Sequence, residues 1–123
     1  MIRFTLFGAG LMMLVVGGLH LLNPQMMMRE PGIVLSSTNH FHVVRAAYGG
    51  AYLVIAALFL AGALRRIDAR AALVAVALIF GGFALGRVVS IIADGVPVPL
   101  YLGVLAAELF FAVCALLALR RHG

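Results

Sequence analysis

Hydrophobic positions run along this chain in four long stretches, at about 2–22, 41–64, 71–93 and 100–119, parted by short polar breaks. Each is close to the ~20 residues a helix needs to cross ~30 Å of hydrocarbon. Backbone polar groups cannot go unpaired in lipid, so the stretches predict helices. Short connections make consecutive helices antiparallel neighbours. The expected fold is all-α: an up-down-up-down four-helix membrane bundle forming one domain over residues 1–123. The first stretch starts with Arg3 like a signal peptide, but His20-Leu21-Leu22-Asn23-Pro24 follows it in place of small cleavage-site residues, so it reads as a retained span.

The longest non-spanning stretch is 23–40. Pro24 ends the first helix and Pro31-Gly32 marks a turn. Met26-Met27-Met28 and Ile33-Val34-Leu35 are too apolar to float in water. This loop is therefore expected to lie along the interface or fold onto the bundle. Ser36, Ser37, Thr38 and Asn39 are N-cap candidates for the second helix.

Composition sharpens the class. Hydrophobic residues make up 65% and charged residues 11%, too little polar surface for a soluble domain. The formal charge of +5 does not form a nucleic-acid face, because the arginines gather at the ends of the apolar stretches. They read as topology signals instead. Arg3, the Arg65-Arg66…Arg70 link and the Arg120-Arg121-His122 tail share one side. The expectation is an inner (cytoplasmic) membrane protein with both termini in the cytoplasm and the 23–40 loop outside. Cys114, the lone cysteine, reads as a small buried hydrophobe.

Polar residues inside the apolar stretches carry the candidate chemistry. On the second helix Arg45, Tyr48, Gly49 and Tyr52 fall at i, i+3, i+4, i+7 and are expected on one face. Arg87, Ser90 and Asp94 align on the third, Tyr101 and Glu108 on the fourth, and Gly10, Met13, Gly17 and His20 on the first. At ~1.5 Å per residue, Arg87 lies roughly 10 Å below Asp94 and Glu108 roughly 13 Å below Pro99. These groups converge on one layer in the outer half of the membrane. Charge at such depth is expensive, so it faces inward and pairs. Glu108 is the sole carboxylate within a span. The expected arrangement pairs Glu108 with Arg87, with Arg45 close by, His20 nearby and Asp94 at the mouth.

A purely structural reading stands beside this one, because a buried ion pair also serves to fix which helices pack and in what register. Gly82-x-x-x-Gly86 and the Gly49-Gly50 doublet read as helix-packing sites. The tyrosines near the interface also fit an aromatic belt. His40, His42 and Met26 are weak candidates for a copper site, outweighed by ordinary interfacial residues. Zinc spacing, nucleotide loops, a Ser-His-Asp set and haem-attachment motifs are absent, so no cofactor is expected.

Arg45-x-x-Tyr48-Gly49-Gly50, Gly86-Arg87-x-x-Ser90-x-x-x-Asp94-Gly95-x-Pro97 and Glu108 together resemble the DUF4345 family of small bacterial four-helix membrane proteins. The resemblance covers most of the chain. It implies the fold and the importance of the Arg/Glu layer, and it implies no activity. In the family pattern an acidic residue often precedes the second-helix arginine; here Val43 and Val44 stand there, leaving Arg45 without that local partner. The leading expectation is a non-enzymatic protein whose polar layer binds a small amphiphile, a lipid headgroup or a quinone. The alternative is an accessory or structural subunit of a larger complex or a homo-oligomer. A third reading is an isomerase-type membrane enzyme using Glu108 as acid and base. Transport is the least supported, since the chain is short and lacks paired broken helices.

Overall fold

The computed structural model describes residues 1–121; His122 and Gly123, the end of the arginine-rich tail, lie outside the described residues. The chain folds into four long antiparallel helices, and no strand occurs among the described residues. The first span is Ile2–Leu22, the second Thr38–Ala63, the third Ala69–Asp94 and the fourth Pro99–Arg121. All four are long and apolar enough to cross a membrane, the signature of a multi-pass membrane protein. Large apolar side chains such as Phe4, Val54, Leu78 and Ile92 point outward along them, as lipid-facing surface requires.

Polar residues just outside each apolar stretch set where the helices begin. Ser37 accepts from the His40 N–H at 3.3 Å, which starts the second span at Thr38. Asp68 accepts from the Arg70 and Ala71 N–H groups at 3.1 and 3.3 Å and opens the third span. That span stops at Gly95, whose φ of +101° ordinary side chains rarely adopt.

The 23–37 connection is ordered onto the bundle. Asn23 caps a short helix, Pro24–Arg29, by accepting from the Met26 N–H. The Gln25 side chain then ties the returning strand of chain, donating to the Ile33 carbonyl and accepting from the Leu35 N–H. Met28 and Leu35 bury themselves against Val44, with Phe41 beside them.

The four spans form two close pairs, first with second and third with fourth. Small residues allow the first pair to approach. A Cβ on Gly17 would sit 2.9 Å from the Tyr52 Cβ and 3.1 Å from the Gly49 carbonyl, and one on Gly49 would sit 3.1 Å from the Leu21 Cα. The expected packing role therefore holds for Gly49. Gly82 and Gly86 have open space beyond their Cα atoms, and Gly50 nears only the Arg45 carbonyl of its own helix. These three do not make helix contacts, because a small-xxx-small pattern does not say which face of a helix meets a neighbour.

The two pairs join at one end. Leu6, Ala9, Phe59, Ala63, Leu73, Val76, Ala115 and Ala118 are sealed in the half holding the chain termini. In the opposite half few side chains are fully buried, and the helices part around a cavity.

Candidate functional site

The cavity has a volume of about 550 Å³. Each span contributes to its wall: Met12, Met13, Val16 and His20 from the first, Tyr48 and Tyr52 from the second, Phe80, Phe83 and Arg87 from the third, and Leu100, Tyr101, Val104 and Glu108 from the fourth. The short loop helix and the turn after it supply Met26, Met27, Met28, Glu30, Pro31 and Ile33 as a roof. The first and fourth spans touch where Phe111 sits against Gly8. Above that contact, Met12 and Val16 face the same cavity as Val104 and Glu108.

Glu108 is the buried charge at its base. Its side chain is 3% exposed, and its Oε2 accepts from the Arg87 Nε at 2.8 Å. The Arg87 side chain is 35% exposed, and its guanidinium carbon lies 5.7 Å from the centroid of the Tyr101 ring. The Arg87–Glu108 pairing expected from the sequence is thus made. It uses one hydrogen bond, which leaves the Glu108 Oε1 and the terminal guanidinium nitrogens without partners among the described residues. His20, also buried, donates from Nδ1 to the Val16 carbonyl at 2.7 Å, since a carbonyl can only accept. Its Nε2 is spare. No side-chain nitrogen or oxygen among the described residues is sealed away without a partner. The spare atoms of Glu108, Arg87 and His20 are therefore not sealed, and all three residues line the cavity.

Aromatic rings build one wall. His20 lies 5.6 Å from Tyr48, Tyr48 5.8 Å from Tyr52, and Tyr52 5.7 Å from Phe83, centroid to centroid. Tyr48, Tyr52 and Tyr101 all line the cavity, and they are the only tyrosines in a chain without tryptophan.

Three expected members stand elsewhere. Arg45 does not join the Glu108 layer; it donates from Nε to the Leu21 carbonyl at 3.0 Å and lies over the Phe41 ring. Arg45 opens a widened turn, Arg45–Gly50, where the Ala51 N–H bonds to the Ala46 carbonyl five residues back. The wider turn changes the helical phase between Arg45 and Tyr52. The Leu21 carbonyl is one of the unpaired acceptors at the end of the first span, and a cation there also suits the helix dipole. Asp94 is exposed and accepts from the Ser90 hydroxyl at 3.0 Å, away from Glu108. Ser90 itself borders a smaller hollow of about 110 Å³ on the other side of Arg87, with Tyr101, Gly95 and Pro97.

His40 accepts from the Ser36 N–H at 3.1 Å, outside the cavity. No group of three or more His, Cys, Asp or Glu side chains that could hold a metal occurs among the described residues. Glu30 and Met12 are cavity residues that sequence reasoning missed. Glu30 offered a signal, as the nearest acidic residue to the apolar Met26–Met28 run.

No curated protein and no solved structure matches the chain. A family model does, the domain of unknown function DUF4345, over residues 1–119. The match takes in the first three spans, the fourth as far as Leu119 and the whole wall of the cavity, so the chain belongs to the DUF4345 family.

Proposed function

We propose that this protein binds a small amphiphile, a lipid headgroup or a quinone, in the cavity between its four helices. One observation carries the reading: an Arg87–Glu108 pair, buried at its carboxylate and joined by one hydrogen bond, lines a cavity of about 550 Å³. Ligand sites are commonly clefts of ~300–1,000 Å³, mostly apolar, with a few convergent polar groups. A pair that only locked two helices together would have no use for an open chamber beside it. The gathering of Arg3, Arg65, Arg66, Arg70, Arg120 and Arg121 at one end supports an orientation with both termini in the cytoplasm. In a cytoplasmic membrane the cavity then lies in the outer leaflet.

Native mass spectrometry of protein extracted in mild detergent tests this. The expected result is a reproducible bound small molecule, lost on Arg87→Gln or Glu108→Gln. A bare protein, altered by these substitutions only in stability, overturns the reading. A second reading, an accessory subunit, has one observation in its favour: Gly82 and Gly86 lie open on the outside of the third span, where another helix could approach closely.

A further inference from the structure

The amphiphile could bear a charged or a neutral head, and the cavity distinguishes them. Arg87 is its one guanidinium, and Glu108 already neutralises it at 2.8 Å. The other intramembrane arginine, Arg45, is committed to the Leu21 carbonyl and does not line the chamber. Glu30 brings a second carboxylate to the wall. An anionic head entering here meets two carboxylates and one cation that is already paired. Like charges brought together in a partly dry site repel strongly.

What the chamber offers instead is aromatic surface and hydrogen bonds from a charge pair whose net charge is zero. The chain of rings from His20 through Tyr48 and Tyr52 to Phe83 lines one wall, where an aromatic guest can stack or meet a ring edge. The terminal N–H groups of Arg87 and the tyrosine hydroxyls can donate to carbonyl oxygens. The spare oxygen of Glu108 can accept from a hydroxyl. We propose, resting on the amphiphile reading above, that the cavity selects an uncharged ring with oxygens on opposite edges, a quinone-type head, over an anionic head. Above the Gly8–Phe111 contact, the apolar Met12, Val16 and Val104 offer a path for its tail.

The protein carries its own reporter, because every intrinsic fluorophore of note is a cavity tyrosine. Purified protein in neutral detergent is titrated with decylubiquinone and, separately, with dodecyl phosphate, while tyrosine emission is followed and corrected for probe absorbance. Saturable quenching by decylubiquinone is expected, at least about tenfold tighter than any binding of dodecyl phosphate, as electrostatic mismatch of this kind commands. Glu108→Gln should raise dodecyl phosphate affinity by about tenfold or more, because it frees Arg87. Glu30→Gln, in the exposed turn, should raise it by roughly threefold and leave the helices untouched. It serves as the second test should Glu108→Gln fail to fold.

Dodecyl phosphate binding as tightly as the quinone in the unaltered protein overturns the selection and leaves the amphiphile reading standing. So does an anionic lipid found bound to the extracted protein in place of a neutral ring. Failure of decylubiquinone to quench saturably overturns the inference. If native mass spectrometry also finds the protein bare, the amphiphile reading falls with it.

Discussion

The Arg87–Glu108 pair makes a quantitative prediction through a double-mutant cycle. Removing one partner of a buried ion pair costs about 3–5 kcal/mol, because the other charge is stranded. The two single changes differ because the partners are not equally buried. Arg87→Leu strands Glu108, whose side chain is 3% exposed. That places its cost at the upper end of the range, with about 0.5–1 kcal/mol more for the lost contact with Tyr101. Glu108→Leu strands Arg87, which is 35% exposed and can draw water from the cavity. Scaling down for that exposure gives about 2–3 kcal/mol. The double change replaces both charges by apolar groups of roughly similar volume, which is commonly near neutral. It should cost under about 2 kcal/mol, less than either single change. Unfolding in dodecyl sulfate, followed by tyrosine emission and circular dichroism, measures all three. If the double loss equals the sum of the single losses within about 0.5 kcal/mol, the two side chains do not meet and the reasoning fails.

Three further expectations concern the surroundings. Gly17→Leu or Gly49→Leu should cost about 1–3 kcal/mol or more by forcing the first two spans apart, whereas Gly82→Leu and Gly86→Leu should stay within about 0.5 kcal/mol; equal losses across all four in the same unfolding assay would contradict the packing described. Arg45→Gln should destabilise by about 1.5–3 kcal/mol through the lost charged hydrogen bond while leaving cavity occupancy unchanged by native mass spectrometry. Loss of the bound molecule in that variant would return Arg45 to the site. Elemental analysis should find no stoichiometric copper, and one copper per chain, lost on His40→Ala with His42→Ala, would reverse that conclusion.

The four spans were legible because lipid tolerates only uninterrupted apolar helices, and nothing else in the chain competes with that signal. The Arg87–Glu108 pair was legible for a related reason: one carboxylate lies within a span, and burial forces it to find a cation. Arg45 was not legible. Counting every fourth residue assumes constant phase, and the widened turn at Arg45–Gly50 breaks it. Its partner is a backbone carbonyl, which any residue could supply and no side-chain pattern reveals. The cavity was also hidden. Whether a bundle closes or parts depends on side-chain volume at facing positions, and the trace it leaves is faint: small residues at Ala112, Ala115 and Ala118 against a layer of Tyr and Met at the other end.

A bundle sealed at one end and hollow at the other distributes its cohesion unevenly. The sealed half, around Phe59, Leu73 and Val76, holds the helices together whether or not the chamber is filled. The hollow half relies on the Arg87–Glu108 pair, the Gln25 tie and the Arg45 bond, to which an amphiphile of the proposed kind would add. Any guest of the folded state adds stability as its concentration rises above its Kd, by about 2.7 kcal/mol at a hundredfold excess. An empty copy is then the form whose roof loosens first and the one a membrane protease would seize. Were the proposed amphiphile such a guest, the amount of this protein in a cell would follow its supply, with no regulator needed beyond the fold.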